Sequence, residues 1–261
     1  MNDRKTIVWW KILSALAMLN IIAWIAVASQ AEVGVLYVRW HLMLSAVFTA
    51  VCAFRSFLPR IDLERYCLVD SFASSMVVGR SAATIAEVSF ATQVALLIHE
   101  MGNETGILWV QSFSAPIVIL LFTAQIFCWS SVISLNHIGH AIEESIWALT
   151  FAMVGVCFAV CIPQLEGLWR NVSILGLIAC VGYVCVMVIV DVPMYAKRWR
   201  KGQREGESYL GFRDGWSDAL NRRVVTRDWK IWKPEVAWLT GYFTMAVWIS
   251  LAMVLLPRAG H

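Results

Sequence analysis

Seven long apolar runs limit what this chain can fold into more than any other feature. They cover residues 7–29, 34–57, 74–98, 107–133, 143–162, 171–195 and 235–256. Crossing a hydrocarbon layer of about 30 Å takes roughly 20 helical residues, and every run is long enough. In lipid each backbone N–H and C=O needs an internal partner, so runs of this length are read as α-helices. Composition agrees: 59% of residues are hydrophobic and 15% charged, with mean hydropathy +0.67. A soluble domain carries about 25% charged residues. The expected fold is an all-α integral membrane protein, one polytopic domain over residues 1–261 built as a bundle of about seven transmembrane helices. Its first run follows the basic start "MNDRK" and exceeds the apolar core of a secretory signal, so a retained helix is expected.

Lys and Arg set the expected orientation, because they accumulate on the cytoplasmic side. Arg4, Lys5 and Lys11 lie at the start, and Arg55, Arg60 and Arg65 lie between runs two and three. Residues 197–234, between runs six and seven, form a basic loop that also carries Tyr209, Phe212, Trp216, Trp229 and Trp232. The alternate connections hold only Arg39, Arg170 and Arg258, with Glu100 and Glu104 beside them. This pattern predicts a cytoplasmic N-terminus and an outside C-terminus, in a bacterial inner membrane. Trp9, Trp10, Trp109, Trp169, Trp229 and Trp232 fall near run ends, where indole favours the headgroup layer. The basic loop is accounted for by orientation and anionic lipid, at about 1 kcal/mol per basic residue near the surface. Nucleic acid is not an expected partner.

Several chemistries are absent from the sequence. It has no nucleotide-binding glycine loop, no nucleophile elbow and no H-E-x-x-H. The last run lacks the lysine that a retinal Schiff base would need. Cysteines 52, 67, 128, 157, 161, 180 and 185 form no C-x-x-C pair and read as small apolar fillers.

Ionisable residues inside the runs are not scattered. Arg80, Thr84 and Glu87 share one face of run three at i, i+4 and i+7. His140, Glu143 and Glu144 open run five, Asp191 and Tyr195 close run six, and Asp228 and Glu235 precede run seven. With the orientation above, all are expected at one cytoplasmic depth, and polar groups at membrane depth tend to be functional. Glu87, Arg80, Glu143 and Asp191 are the expected acid–base or catalytic residues. Arg55, Arg60 and Arg65, with Tyr195, are the expected substrate-binding set, because arginine forks clamp phosphate and carboxylate head groups. Arg80 with Glu87 has a second reading, a buried ion pair tying run three to the bundle. Gln93, His99, Glu100 and Gln111 fall towards the outer side and read as interfacial.

The stretch "SLNHIGHAIEESIW", residues 134–147, is the densest polar segment within the spans. On a helix, His137, His140 and Glu144 point within about 60° of one another. Two imidazoles and a carboxylate suit iron, or zinc with open positions; haem is less expected. Glu87 or Asp191 would complete such a shell. Two other readings stay open: proton transfer or hydrogen bonding to a substrate, and a plain helix start. In the last, Asn136 caps the helix and the glutamates complement its dipole.

These features imply a multi-pass membrane enzyme with a polar, metal-dependent site in the cytoplasmic half. A membrane lipid or another amphiphile is its expected substrate, and an oxidoreductase or a hydrolase or transferase would both fit. The alternatives are a proton-coupled transporter, its path continuing through Gln93 and Glu100, and a haem-binding or structural subunit of a membrane complex.

Overall fold

The computed structural model describes residues 2–32 and 34–256. Arg258, counted above on the outer side, lies outside them. Among the described residues, seven helices are long and apolar enough to cross a membrane, one for each run. The chain is an all-α multi-pass membrane bundle. The first five spans are single helices: α1 (Asn2–Gln30), α2 (Leu36–Phe57), α3 (Met76–Thr105), α4 (Leu108–Ser134) and α5 (His137–Cys161). The sixth begins as α6 (Gly167–Val186), passes through a π-helical turn (Met187–Asp191) and runs on as α7 (Val192–Glu205), well past the expected end at Tyr195. A short helix, α8 (Phe212–Asn221), follows. The seventh span is segmented: α9 (Trp229–Trp232), a 3₁₀ turn (Lys233–Glu235), α10 (Val236–Gly241), a second π turn (Tyr242–Ala246) and α11 (Val247–Leu255).

The chain divides into two compact units. Among the described residues the first comprises 2–32, 34–93 and 216–256. Its core joins Trp9 and Leu13 of α1, Phe48 and Cys52 of α2, Ala86 of α3, and Trp232, Phe243 and Leu251 of the last span. Trp9 and Trp232 were expected in the headgroup layer. Both are instead buried, their rings 5.6 Å apart, and Trp9 Nε1 donates to Thr240 Oγ1 at 3.0 Å. Indole buried against indole gains contact area, and an internal acceptor replaces water for the N–H. Gln93 likewise departs from its interfacial expectation. It is fully buried, and its amide donates to the His41 and Ser250 carbonyls at 3.1 and 3.2 Å while Ser250 Oγ donates back to it. A polar side chain with every bond made inside the protein has no need of the water layer.

Three two-residue strands, missed by an all-helical reading, join distant loops in this unit. β1 (Arg60–Ile61) pairs antiparallel with β2 (Tyr66–Cys67), and β2 pairs parallel with β3 (Val224–Val225). Arg65, at φ 62°, turns the chain between β1 and β2. It then buries its side chain and donates from Nε to Asp218 Oδ2 at 2.9 Å.

The second unit is Val94–Gly215 among the described residues. Within it α5 is central, packing on α4, α6 and α7. Small residues make this possible, as is usual where lipid supplies no hydrophobic drive between helices. Gly176 lies under the Phe158 ring, and an added Cβ there would stand 2.6 Å from the ring.

Candidate metal centre

The site grows out of a tight hairpin between α4 and α5. Leu135 takes a left-handed conformation at φ 63°, ending α4, and Asn136 caps α5 by accepting from Ile138 N–H at 3.1 Å. Ser131 stitches the two helices together: its hydroxyl donates to the Asn136 carbonyl and accepts from His140 N–H. Gly139, a helix-weakening residue when read in sequence, lies where α5 meets α4. A Cβ there would stand 2.5 Å from the Phe127 carbonyl oxygen and 2.9 Å from Ser131 Cβ. Only glycine lets the helices come this close, and the close approach brings Cys128 to His140.

Three donors result. Cys128 Sγ lies 3.8 Å from His140 Nδ1, which in turn lies 2.8 Å from Glu143 Oε2. All three residues are buried, and their donor atoms lie within 4.8 Å of one another. Among the described residues this is the group of three or more His, Cys, Asp and Glu side chains so arranged. From the usual zinc bond lengths, a tetrahedral ion separates its N and S donors by about 3.6 Å and its N and O donors by about 3.3 Å. Cys128 already stands at nearly that distance from His140, and the Glu143 carboxylate needs to swing out by about half an ångström.

The donor set differs from the one read in sequence. His140 belongs to it, but its carboxylate is Glu143, expected as an acid–base residue, rather than Glu144. Its third member, Cys128, was read as filler. His137 stacks on Tyr195 with ring centres 6.2 Å apart, and the Tyr195 ring lies 5.0 Å from His140. The charges of Glu144, Glu143 and Asp191 all act on the Tyr195 phenol. Asp191 is half-buried and closes the π turn of the sixth span. One signal in sequence points to Cys128. Once Leu135 and Asn136 are taken as a helical-hairpin turn, Cys128 and His140 fall on facing sides of it.

The remaining expected residues, Arg55, Arg60, Arg65, Arg80 and Glu87, belong to the first unit. Arg80 Nη2 donates to Glu87 Oε2 at 2.6 Å, and Arg80 Nη1 lies 3.9 Å from Asp62 Oδ2. Arg80 and Glu87 thus pair with each other along α3 rather than across to another helix, and Asp62, in the loop before α3, stands beside Arg80. Arg65 commits Nε to Asp218 and Nη1 to the Asp62 carbonyl. Burial holds its guanidinium below the usual arginine range, opposed by the hydrogen bond to Asp218. Arg55 lies over the Phe243 ring at 5.2 Å and Arg60 over Phe54 at 5.6 Å. Burial, with the charge of Arg55 adding to it, pulls Arg60 down to about 9.

Compared with known protein families, curated proteins and solved structures, the chain matches none.

Proposed function

We propose that this multi-pass membrane protein is a metalloenzyme whose ion is bound by Cys128, His140 and Glu143, and that it acts on a lipid or another amphiphile. The observation that carries this reading is the convergence of three buried donors of different type where two membrane spans, α4 and α5, meet. Charge supports it. A thiolate and a carboxylate neutralise a divalent ion with neutral imidazole as third ligand, so the bound site adds no net charge to an apolar interior, where charge is costly. Donor type supports it too, since sulfur and imidazole favour zinc, iron or copper over magnesium or calcium. Three protein ligands leave a position for water or substrate, the arrangement that lets zinc lower the pKa of bound water for hydrolytic chemistry. The test is metal analysis of detergent-purified protein beside His140→Ala and Cys128→Ala. About one equivalent of metal, lost in both variants, is the expected result. Folded wild type that takes up no zinc, iron or copper overturns the reading.

A second reading, a proton-coupled carrier, draws on the two π turns. Such turns mark hinges and functional sites in helices, and one of them ends at Asp191. Proton flux in liposomes that is lost in Asp191→Asn while metal content stays at zero would favour the carrier.

A further inference from the structure

An open groove runs between the first and seventh spans. One wall is the start of α1, with Arg4, Lys5, Val8 and Ile12, and the other is the start of the seventh span, with Trp229 and Val236. Its volume is about 490 Å³, inside the range of roughly 300–1,000 Å³ that ligand sites occupy. Bonds within the protein fix both walls. Thr6 Oγ1 donates to the Arg227 carbonyl at 2.8 Å, and Trp9 Nε1 donates to Thr240 Oγ1 at 3.0 Å. The groove is therefore formed before anything enters it.

Polarity changes along it in one direction. Arg4 and Lys5 stand exposed at the end of their span, and neither has an ion pair with a described residue. Val8 and Ile12 follow on the same helix, 49% and 53% exposed, so the groove opens sideways on a membrane-spanning segment. The rise from Arg4 to Ile12 is about 12 Å, enough to pass from head-group depth into hydrocarbon. Trp229 adds a donor at the polar end. The indoles of Trp10 and Trp232 donate to the Phe57 and Thr226 carbonyls, whereas Trp229 Nε1 has no acceptor among the described residues.

We infer that this groove binds one anionic phospholipid. Arg4, Lys5 and the Trp229 N–H hold its phosphate, and an acyl chain lies over Val8, Ile12 and Val236. Cations at the span end and apolar side chains beyond them match the two parts of that molecule in order. A second copy of the chain fits worse, since a two-fold interface here would bring two cationic rims together. The site lies wholly in the first unit and does not depend on metal binding at Cys128, His140 and Glu143.

The experiment uses the full chain in detergent, with phosphatidylglycerol and phosphatidylcholine titrated separately and complexes counted by native mass spectrometry. One phosphatidylglycerol per chain, retained at about tenfold lower concentration than phosphatidylcholine, is the expected result. Arg4→Gln/Lys5→Gln should remove that preference. Lys197→Gln/Arg200→Gln, which takes two exposed charges from α7, should keep it. Ile12→Trp, which fills the groove without touching charge, should weaken phosphatidylglycerol retention about tenfold. All five positions are exposed, so each variant is expected to fold. Equal retention of the two lipids by wild type overturns the proposal. Unchanged retention in Arg4→Gln/Lys5→Gln or in Ile12→Trp does so too, as does equal loss in both charge variants, the mark of general surface charge. A lipid-free dimer that Ile12→Trp breaks would give the groove to a second copy, and equally overturns it.

Discussion

Arg80–Glu87 in the first unit and His140–Glu143 in the second are both buried pairs of a basic and an acidic residue on a membrane helix, and they differ in what they leave over. A guanidinium has donors and no lone pair to give a cation, and Glu87 accepts from Arg80 at 2.6 Å. An imidazole nitrogen can give a lone pair to a metal, and the Cys128 thiol stands 3.8 Å from it as a second soft ligand. The second cluster therefore brings sulfur, imidazole and carboxylate donors together, where the first offers a carboxylate alone. Buried polarity alone does not separate the two clusters; the kinds of atom each presents do.

Substitutions sharpen or break this contrast. The largest expected effect is Arg80→Ala, which strands Glu87 and should cost about 3–5 kcal/mol in reversible unfolding in detergent. A cost smaller than that of Cys128→Ala would sink the scaffold assignment. Next comes Gly139→Ala, whose Cβ pushes α5 away from α4, with an expected cost of about 1–3 kcal/mol and loss of bound metal in the same sample. Cys128→Ala removes one buried atom and should cost about 1–2 kcal/mol without metal, yet abolish metal uptake. Equal metal content in wild type and variant would remove Cys128 from the donor set. Asn136→Ala, which loses only the cap of α5, is expected to cost about 1 kcal/mol and leave metal stoichiometry intact. If it empties the site, the helix start and the donor cluster are one unit rather than two.

Every span was legible in the sequence, because lipid allows an apolar run few backbone choices other than a helix. Which helix face meets which was not. Spans this uniformly apolar have almost no polar side to read, so the Gly139 crossing and the exposure of Cys128 to His140 had no trace in hydropathy. The burial of Trp9 and Trp232 was hidden for a related reason, since an indole near a span end suits headgroups and protein core equally well. Strands of two residues, such as Tyr66–Cys67 and Val224–Val225, are too short for any alternation to show. The π turns change which residues face inward without changing composition. Of the polar residues singled out, Arg80, Glu87, His140 and Glu143 pair as bases with acids in the structure, but Glu143 rather than Glu144 reaches His140.

The small sheet has a consequence for how the chain is made. Arg65 and Asp218, which meet beside it, are 153 residues apart in sequence. When β1 and β2 leave the ribosome, their partner strand is still untranslated, and so is the span that supplies Trp232 to the core. The continuous second unit can pack while the first waits with an open strand edge and an unfilled aromatic pocket. Completion of the first unit thus waits for Val224–Val225 and the seventh span to be made. Chains cut short before Val224 would leave the β2 edge at Tyr66–Cys67 without its parallel partner.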